Sequence, residues 1–424
     1  MTELKEYDYA IIGSGILGSV CYKFLKQSGK TVKVIDLTDL PNLSNSKNNI
    51  FDFKEGTVFY GTGGTSKVWS STYDLYPKNI FPKEIEDKLQ VENIVKFCNF
   101  LEYFGIPLRE LLNQNKINKK FYSFESNFEV NLTIRNNKTF KFESVFEIDD
   151  LKKLSIDNFI LDTNSKTITN SSTGSSEKYK KIIFAAGGLG NSYLINLLFS
   201  KYENANGKNY TNHLKFVPII FETKNYHRIS KILNQRKKNN YLMFPSYLLR
   251  DKKNGLIHSF RIYNSSIKQM KSGVHYRTLL FERILRKFGF SKYFKVLIYS
   301  DMKQSVNFLE FGENSISLNS RNDRTIEDLE KTIEELKLQI SKNKYIKTVL
   351  LKDDFEISEG SHHIGSTTMG SNNQNSVVDL NLNLHHNDGF KIVGTSVLPC
   401  PGSGHPTLTA ILLAILSLEN DMND

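Results

Sequence analysis

The segment from Tyr9 to Asp36 constrains the fold more than any other part of the chain. A short apolar strand, Tyr9–Ile12, runs into Gly-Ser-Gly-Ile-Leu-Gly at residues 13–18, and an amphipathic helix follows to about Ser28. A second strand then runs from Val32 to Asp36. The pattern predicts a strand–helix–strand unit with parallel strands and an acid at the end of the second strand.

Each glycine of this unit, and the acid at its end, has a physical role in dinucleotide binding. Gly13 permits a tight turn, Gly15 lets the backbone approach a pyrophosphate, and Gly18 allows close helix–strand packing. The helix begins near Ile16, and its N-terminus presents free N–H groups to phosphates. Asp36 lies 18 residues after Gly18 and is suited to accept hydrogen bonds from a ribose diol. The unit predicts dinucleotide binding but does not decide between NAD and FAD.

Composition narrows the class of protein. The 424 residues suit two or three domains, and 39% apolar residues supply a large core. The three cysteines, scattered without CxxC spacing, argue against a disulfide scaffold and a zinc site and suit a reducing compartment. We therefore expect no metal. With neither a leader pattern nor a long apolar window, we expect a cytoplasmic protein, either free or peripheral at the inner membrane face.

The net charge of +11 comes mainly from lysine. The forked guanidinium group of arginine suits the recognition of bases and phosphates better than the ammonium group of lysine does. We therefore expect no nucleic-acid partner. An anionic substrate, a membrane surface and a simple lysine-rich bias each remain compatible with the excess.

The rest of the chain contains strand-rich and helical stretches. Residues 128–185 alternate short strand-like runs with turns and end in small residues, and 214–320 predict a mainly antiparallel sheet. A charged amphipathic helix is predicted over 325–341, and an apolar, buried helix over about 406–418.

Seven motifs in order resemble the glucose–methanol–choline (GMC) family of FAD-dependent oxidoreductases, most closely its sugar-oxidising, pyranose oxidase-like branch. They are GSGILG (13–18), GTGGTSKVW (61–69), FAAGGLGNS (184–192), GKNYTNHL (207–214), ENSISL (313–318), HHIGSTTMG (362–370) and VVDLNLNL…IVGTSVLP…HPTLTA (377–410). The resemblance implies an α/β fold of the GMC/p-hydroxybenzoate hydroxylase-like type. In that fold a Rossmann-type FAD-binding domain is interleaved with a substrate domain built on a mainly antiparallel sheet with helices.

The resemblance also implies a discontinuous domain arrangement. We expect 1–75, 126–206 and 355–424 to form the FAD-binding domain. Residues 76–125, as a helical excursion, and 207–354 are expected to form the substrate domain.

Two histidines match the family's catalytic pair. His362 and His405 are 43 residues apart, and Gly365 with Met369-Gly370 selects His362 over its rival His363 as the first residue of the HxxG pattern. A neutral imidazole is a suitable proton acceptor for an alcohol. We expect His362 as base and His405 as orienting partner, although the two roles are exchangeable at this stage. His213 is expected to tie the domains together.

Further motif positions are expected to contact FAD. Val68 stands where some sugar oxidases have a histidine joined to the flavin, so non-covalent binding is expected. Pro406 begins the last helix, whose positive N-terminus suits the flavin's anionic reduced form. The expected cofactor residues beyond the first loop are Gly63, Gly64, Thr65, Ser66, Trp69, Ala186, Gly187, Gly394, Thr395, Pro406 and Thr407.

One basic stretch, 277–299, is not explained by the resemblance. Basic and apolar residues interleave there at approximately helical spacing, with Gly289 dividing two pieces. An ordinary packed helix, a peripheral membrane contact and a basic entrance for a phosphate-bearing sugar conjugate are the alternatives.

The resulting expectation is FAD-dependent oxidation of an alcohol group on a small molecule, carbohydrate or sugar conjugate, with the electron acceptor unknown. The alternatives are a lipid-linked or sterol-like alcohol at a membrane, a non-redox flavin lyase, and a flavin-free relative.

Overall fold

A computed structural model describes most of the chain. The residues described are 4–39, 41–46, 53, 72–76, 79–113, 128–136, 148–233, 236–238, 241–250, 257–264, 293–301, 307–320, 325–351, 356–402 and 404–423.

The first sheet is built around the N-terminal strand and has helices packed on it. Its strands are β1 (Lys5–Ile12), β2 (Val32–Leu37), β6 (Leu151–Leu154), β7 (Phe159–Asp162), β8 (Thr167–Asn170), β9 (Ser175–Phe184) and β19 (Phe390–Ile392). Their order is β6-β2-β1-β9-β8-β7, with β19 also pairing β9. The β7–β8 and β8–β9 pairs are antiparallel, and the other pairs are parallel.

The central position of β1 follows from its sequence. Ile11 and Ile12 are both fully buried, and Ile11 pairs with Val34 on one side and Ile183 on the other. Strands buried on both faces are typical of parallel sheets covered by helices. The α/β class and the Rossmann-type unit predicted from the sequence are confirmed.

The second sheet is antiparallel, as predicted for 214–320. Its order is β17-β10-β14-β13-β12-β5-β4, with β11 on β12 and β18 on β10, and a separate small sheet has the order β15-β16-β3. The strands are β3 (Asn42–Asn45), β4 (Thr72–Tyr73), β5 (Glu129–Asn136), β10 (His213–Thr223), β11 (Arg236–Lys238), β12 (Tyr241–Arg250), β13 (Ile257–Asn264), β14 (Tyr293–Asp301), β15 (Asn307–Gly312), β16 (Ser315–Ser320), β17 (Ile346–Leu351) and β18 (Ser358–Glu359).

The two long helices predicted in the C-terminal half are confirmed. The helices are α1 (Ile16–Gln27), α2 (Lys83–Lys88), α3 (Val91–Ile94), α4 (Cys98–Tyr103), α5 (Leu108–Leu112), α6 (Gly187–Leu198), α7 (Tyr226–Leu233), α8 (Thr325–Ser341) and α9 (Thr407–Asn423). Helix α9 is buried from Leu408 to Leu418 and continues to Asn423, further than its apolar run predicted. Among the described residues, no helix is long and apolar enough to span a membrane.

The helical interpretation of 277–299 is wrong for its last part. Tyr293–Asp301 forms β14, whose burial alternates so that Phe294, Val296 and Ile298 face the core. This period of two is that of a half-buried strand, and pairing with β10 and β13 overrides the helical spacing. Residues 277–292 lie outside the described residues.

Two apolar cores place some segments differently from the expected domain boundaries. Helices α2 to α5 contribute Ile85, Phe97 and Leu101 to the core of the first sheet, not to that of the second. Strands β4 and β5, expected in the FAD-binding domain, pair within the second sheet. Pairing and apolar packing, which the local sequence does not specify, decide both placements. The functional division into domains remains a prediction.

Asn191 ties two distant parts of the first domain together. This fully buried side chain accepts a hydrogen bond from Ala186 N–H at 2.8 Å. Its amide nitrogen donates to the Val393 carbonyl at 3.0 Å and to the Ser396 hydroxyl at 3.1 Å. Helix α6 is thereby fixed against the segment that follows β19.

We predict that Asn191→Ala lowers the free energy of unfolding by about 3 kcal/mol, because buried polar groups lose their partners. Urea denaturation measures the change. The control Asn164→Ala, in an exposed turn, should change it by less than about 0.5 kcal/mol. Equal effects of the two substitutions would contradict the structural role of Asn191.

Candidate active site

The glycine loop after β1 leaves no room for side chains at two of its three glycines. Gly13 has φ of +110°, and a Cβ there would lie 2.6 Å from the Ala185 carbonyl oxygen. A Cβ on Gly18 would overlap the Gly13 carbonyl. Around Gly15, by contrast, no atom of the described residues lies within 4 Å of an added Cβ. The first and last glycines therefore serve packing, and the middle one borders open space.

The N-terminus of α1 faces that open space. The helix begins at Ile16 after Gly15, with no side-chain cap from the described residues and no acidic residue in its first turn. Uncapped N–H groups and the positive end of the helix dipole form an anion-binding site.

Asp36 lies at the end of β2 with one oxygen available. The residue is buried, and its Oδ1 accepts a hydrogen bond from Ser14 N–H at 3.3 Å. Its Oδ2 is buried without a hydrogen-bond partner among the described residues. A free acceptor beside a glycine loop fits the ribose of a dinucleotide. The positions of Gly13, Gly15, Ile16, Gly18 and Asp36 are thus compatible with the predicted binding role.

A second group of predicted cofactor residues adjoins this loop. Ala186 bonds Asn191, Gly187 begins α6 with φ of +82°, and a Cβ on Gly394 would lie 3.1 Å from the Asn191 amide nitrogen. The Thr395 hydroxyl donates to the His363 carbonyl at 2.6 Å. Fold packing alone accounts for these contacts, so their cofactor role remains a prediction.

The remaining predicted cofactor residues divide into two sets. Pro406 and Thr407 stand at the beginning of α9, where the Pro406 carbonyl accepts a bond from Ala410 N–H at 3.0 Å. The others lie outside the described residues: Gly63, Gly64, Thr65, Ser66 and Trp69.

The structure brings the predicted histidine pair together. The rings of His362 and His405 have centroids 5.5 Å apart and are nearly perpendicular, at 87°. His213, on β10, stands 4.9 Å from His362, also at 87°. Its Nδ1 is 3.0 Å from Asp301 Oδ1 on β14, although the two atoms do not form a hydrogen bond of acceptable geometry.

Asn212 positions the first histidine. Its Oδ1 accepts hydrogen bonds from the backbone N–H of His362 at 3.0 Å and of His213 at 2.8 Å. Its amide nitrogen donates to Glu359 Oε2 at 3.1 Å. One buried amide thus links β10, β18 and the histidine doublet, which explains the second asparagine of the GKNYTNHL motif.

The rival histidine, His363, is part of the packed core. Its Nδ1 lies 2.9 Å from the Tyr210 hydroxyl, and its carbonyl accepts the Thr395 bond. Any side chain on Gly188 would overlap His363. Its neighbour His362 lies next to His405 instead, and the choice of His362 as the base remains a prediction.

Sequence reasoning missed the charged groups around His405. Arg261 on β13 donates from its Nη2 to His405 Nε2 at 2.7 Å. Asp74, which follows β4, accepts the His405 backbone N–H at 2.8 Å through Oδ1. The available signal was a lone arginine between Phe260 and Ile262 in a stretch predicted to form strands.

Burial shifts the acidity of these groups. Loss of solvent, followed by the nearby charges of His213 and His363, holds the pKa of His362 well below its usual 6.5. Burial, followed by the charge of Arg261, does the same to the pKa of His405. Burial raises the pKa of Asp74 to about 6, although Arg261 opposes that rise. Both imidazoles are therefore neutral at pH 7.

Both imidazoles also keep a nitrogen available. Nδ1 of His362 and Nδ1 of His405 are buried without a hydrogen-bond partner within the described ranges. Buried polar atoms normally have partners, so these two fit a site that a ligand completes. In the same ranges, no group of three acidic, histidine or cysteine side chains is placed to hold a metal ion.

A known family model matches the part of the chain that contains both histidines. Residues 312–414 match the GMC oxidoreductase family model. The match covers about a quarter of the chain and includes His362, His405 and the start of α9. A search of the curated protein sequences found no match.

Solved structures share the fold over nearly the whole length. Pyridoxine 4-oxidase from Mesorbium loti gives a TM-score of 0.60 at 12% identity, covering 98% of this chain and 99% of that chain. Formate oxidase from Aspergillus oryzae RIB40, solved to study the effect of a mutation on FAD modification, gives 0.53 at 13% identity, covering 100% and 98%. At these identities the likeness establishes a common architecture.

We predict that alanine at two glycines of the loop affects two different properties, stability at Gly18 and FAD binding at Gly15. Gly18→Ala should lower the free energy of unfolding by about 1–3 kcal/mol, because its Cβ overlaps the Gly13 carbonyl. Gly15→Ala should leave stability unchanged and weaken FAD binding, because the new methyl group enters the open space that a pyrophosphate would occupy.

Thermal unfolding without added cofactor and fluorescence titration with FAD separate the two effects. Unchanged FAD affinity in Gly15→Ala would contradict binding at this loop.

Proposed function

We propose that this chain is an FAD-dependent oxidoreductase of the GMC type that oxidises an alcohol group. The observation that carries the proposal is the pair of facing, neutral imidazoles, His362 and His405, in a chain whose first sheet has an open dinucleotide loop. The match of 312–414 to the GMC oxidoreductase model supports the same proposal.

The residues present fit FAD at the loop after β1. Asp36 Oδ2 has a free acceptor position for the ribose, and the N-terminus of α1 with Gly15 leaves space for the pyrophosphate. We expect the binding to be non-covalent, since Val68 offers no nucleophile at the position used by some sugar oxidases. When bound, FAD supplies the acceptor for the hydride that leaves the alcohol carbon.

The chain's own residues handle the alcohol proton. A neutral imidazole is both available and basic near pH 7, and the depressed pKa of His362 keeps it in that form. His405 is placed to orient the hydroxyl and to stabilise the negative charge that develops on its oxygen. We therefore assign His362 as the base and His405 as its partner.

The substrate class we propose is a carbohydrate or sugar conjugate. The support is the motif resemblance to the sugar-oxidising branch, which tends to have glycine at the position of Gly394, where many other members of the family have aspartate. The two structural neighbours, named as oxidases of pyridoxine and of formate, support oxidase-type chemistry, and at 12–13% identity they carry no substrate to this chain. We further propose a cytoplasmic location, on the basis of the scattered cysteines.

Anaerobic mixing with a panel of sugars, nucleotide sugars and polyprenyl-linked sugars tests the proposal. Loss of the visible flavin absorbance by one of them is expected. A protein that binds no FAD, or whose flavin no alcohol bleaches, would overturn it. The latter result would favour a non-redox flavin lyase.

We predict that His362→Ala retains FAD but is reduced by the substrate ~10²–10⁴-fold more slowly, because the proton acceptor is lost. Stopped-flow absorbance measures the rate. His227→Ala, at an exposed position of α7, is the matched control and should react like the parent. Reduction of His362→Ala at the parental rate would show that the base is elsewhere.

We also predict the position of the acidic limb of the pH profile. The base must be neutral, so the reduction rate rises with pH through its pKa. Because the pKa of His362 is lowered, that limb should lie below pH 6.5. Asp74, with its pKa raised to about 6, titrates in the same range, so the profile is repeated in Asp74→Asn. A limb above pH 6.5 that persists in this variant would contradict the assignment.

A further inference from the structure

In the hydrogen bond between Arg261 and His405, only the arginine can be the donor. The guanidinium Nη2 and the imidazole Nε2 are 2.7 Å apart. Arginine stays protonated in proteins and carries donors only, so Nε2 must accept. A neutral imidazole has one protonated nitrogen, and here that nitrogen is Nδ1.

We infer that Arg261 is a positioning residue that fixes His405 as the Nδ1–H tautomer and makes it a hydrogen-bond donor to the substrate oxygen. The catalytic consequence rests on the proposed function. The tautomer itself follows from the contact between the two side chains and is independent of the reaction.

Arg261 is held in place by groups from several strands. It is 6% exposed, and its Nη2 lies 3.4 Å from the Thr133 hydroxyl on β5 and 4.0 Å from Asp74 Oδ2. Its guanidinium carbon lies 5.6 Å from the centroid of the Tyr299 ring on β14. A guanidinium held from three sides keeps its Nη2 donor directed at His405 Nε2 as well as at Thr133, as positioning requires.

Asp74 fixes the backbone of His405 as well. Its Oδ1 accepts the His405 N–H, and a Cβ on Gly404 would lie only 2.6 Å from that oxygen. The side chain and the main chain of His405 are thus both held, one by Arg261 and one by Asp74, before α9 begins.

Burial and the positive charge of Arg261 disfavour a second proton on His405. Arg261 and Asp74 approach from β13 and β4, Tyr299 from β14 at a ring separation of 6.4 Å, and His362 from the segment after β18. Protonation of Nε2 would place an N–H donor against the guanidinium donor and break their bond. His405 therefore does not act as the base through Nε2.

The arrangement makes the pair asymmetric. Nδ1 of His405 then bears a buried proton without a partner in the described part of the chain. Within the described part of the chain, no comparable side-chain hydrogen bond constrains the ring of His362, and Asn212 holds only its backbone N–H. The roles that the sequence left exchangeable are thereby separated: His405 donates, and His362 accepts the alcohol proton.

Nuclear magnetic resonance of ¹⁵N-histidine-labelled protein tests the inference. Spectra of the FAD-loaded and FAD-free protein are recorded from pH 5 to 9, a range that brackets the unperturbed histidine pKa of about 6.5. His405→Asn identifies the signal among the nine histidines. We expect a protonated Nδ1, an acceptor Nε2 and no titration of His405 in either form.

Two variants establish the cause. Arg261→Met should release Nε2, so that the His405 signals move towards the Nε2–H tautomer and titrate, and should slow flavin reduction without weakening FAD binding. Arg250→Met, on the neighbouring β12 and paired with Glu129 at the surface, should leave the His405 signals and the rate unchanged.

Protonated Nε2 in the parent protein, or unchanged His405 signals in a folded Arg261→Met, would overturn the inference. If Arg261→Met does not fold, the parental spectrum alone decides the tautomer. Failure to bind FAD or to oxidise any alcohol would overturn the proposed function instead, and the tautomer measurement in the FAD-free protein would stand apart from it.

Discussion

The close approach of backbone to backbone at Gly13 organises the first domain. Parallel pairing of β1 with β9 places the Ala185 carbonyl oxygen only 2.6 Å from where a Cβ of residue 13 would lie. Only glycine fits there, with its φ of +110°. The loop is thereby held beside Ala186, which Asn191 connects to the segment after β19. Residues far apart in sequence are joined at one edge of the sheet.

The candidate active site is assembled from both sheets. His405 precedes α9, which packs in the core of the first sheet, whereas its partner Arg261 belongs to β13 of the second. His362 is held by Asn212, which stands immediately before β10. Neither sheet forms the site alone, so the geometry of the imidazole pair depends on how the two sheets pack. Burial at this junction, more than any one charge, lowers the pKa of both imidazoles.

Several features were predictable because they depend on local pattern. The apolar run before Gly13 and the alternation of 325–341 specify a buried strand and an amphipathic helix, and both occur. The motif resemblance selected His362 and His405, which the structure places next to each other with nearly perpendicular rings. The stretch 293–299 was misinterpreted because seven residues fit two periodicities, and only pairing with β10 and β13 decides between them.

The sequence by itself determined the strand–helix–strand unit and the strand-rich second half, because each is encoded by a pattern within a short segment. The choice of His362 and His405 came from the motif resemblance and remains a prediction. Tertiary structure alone decided which charges meet them. Arg261 and Asp74 are separated from His405 by 144 and 331 residues, and no local pattern connects positions at such distances. Their contacts arise from strand pairing across the second sheet, and that pairing gives the two similar imidazoles different hydrogen-bonding states.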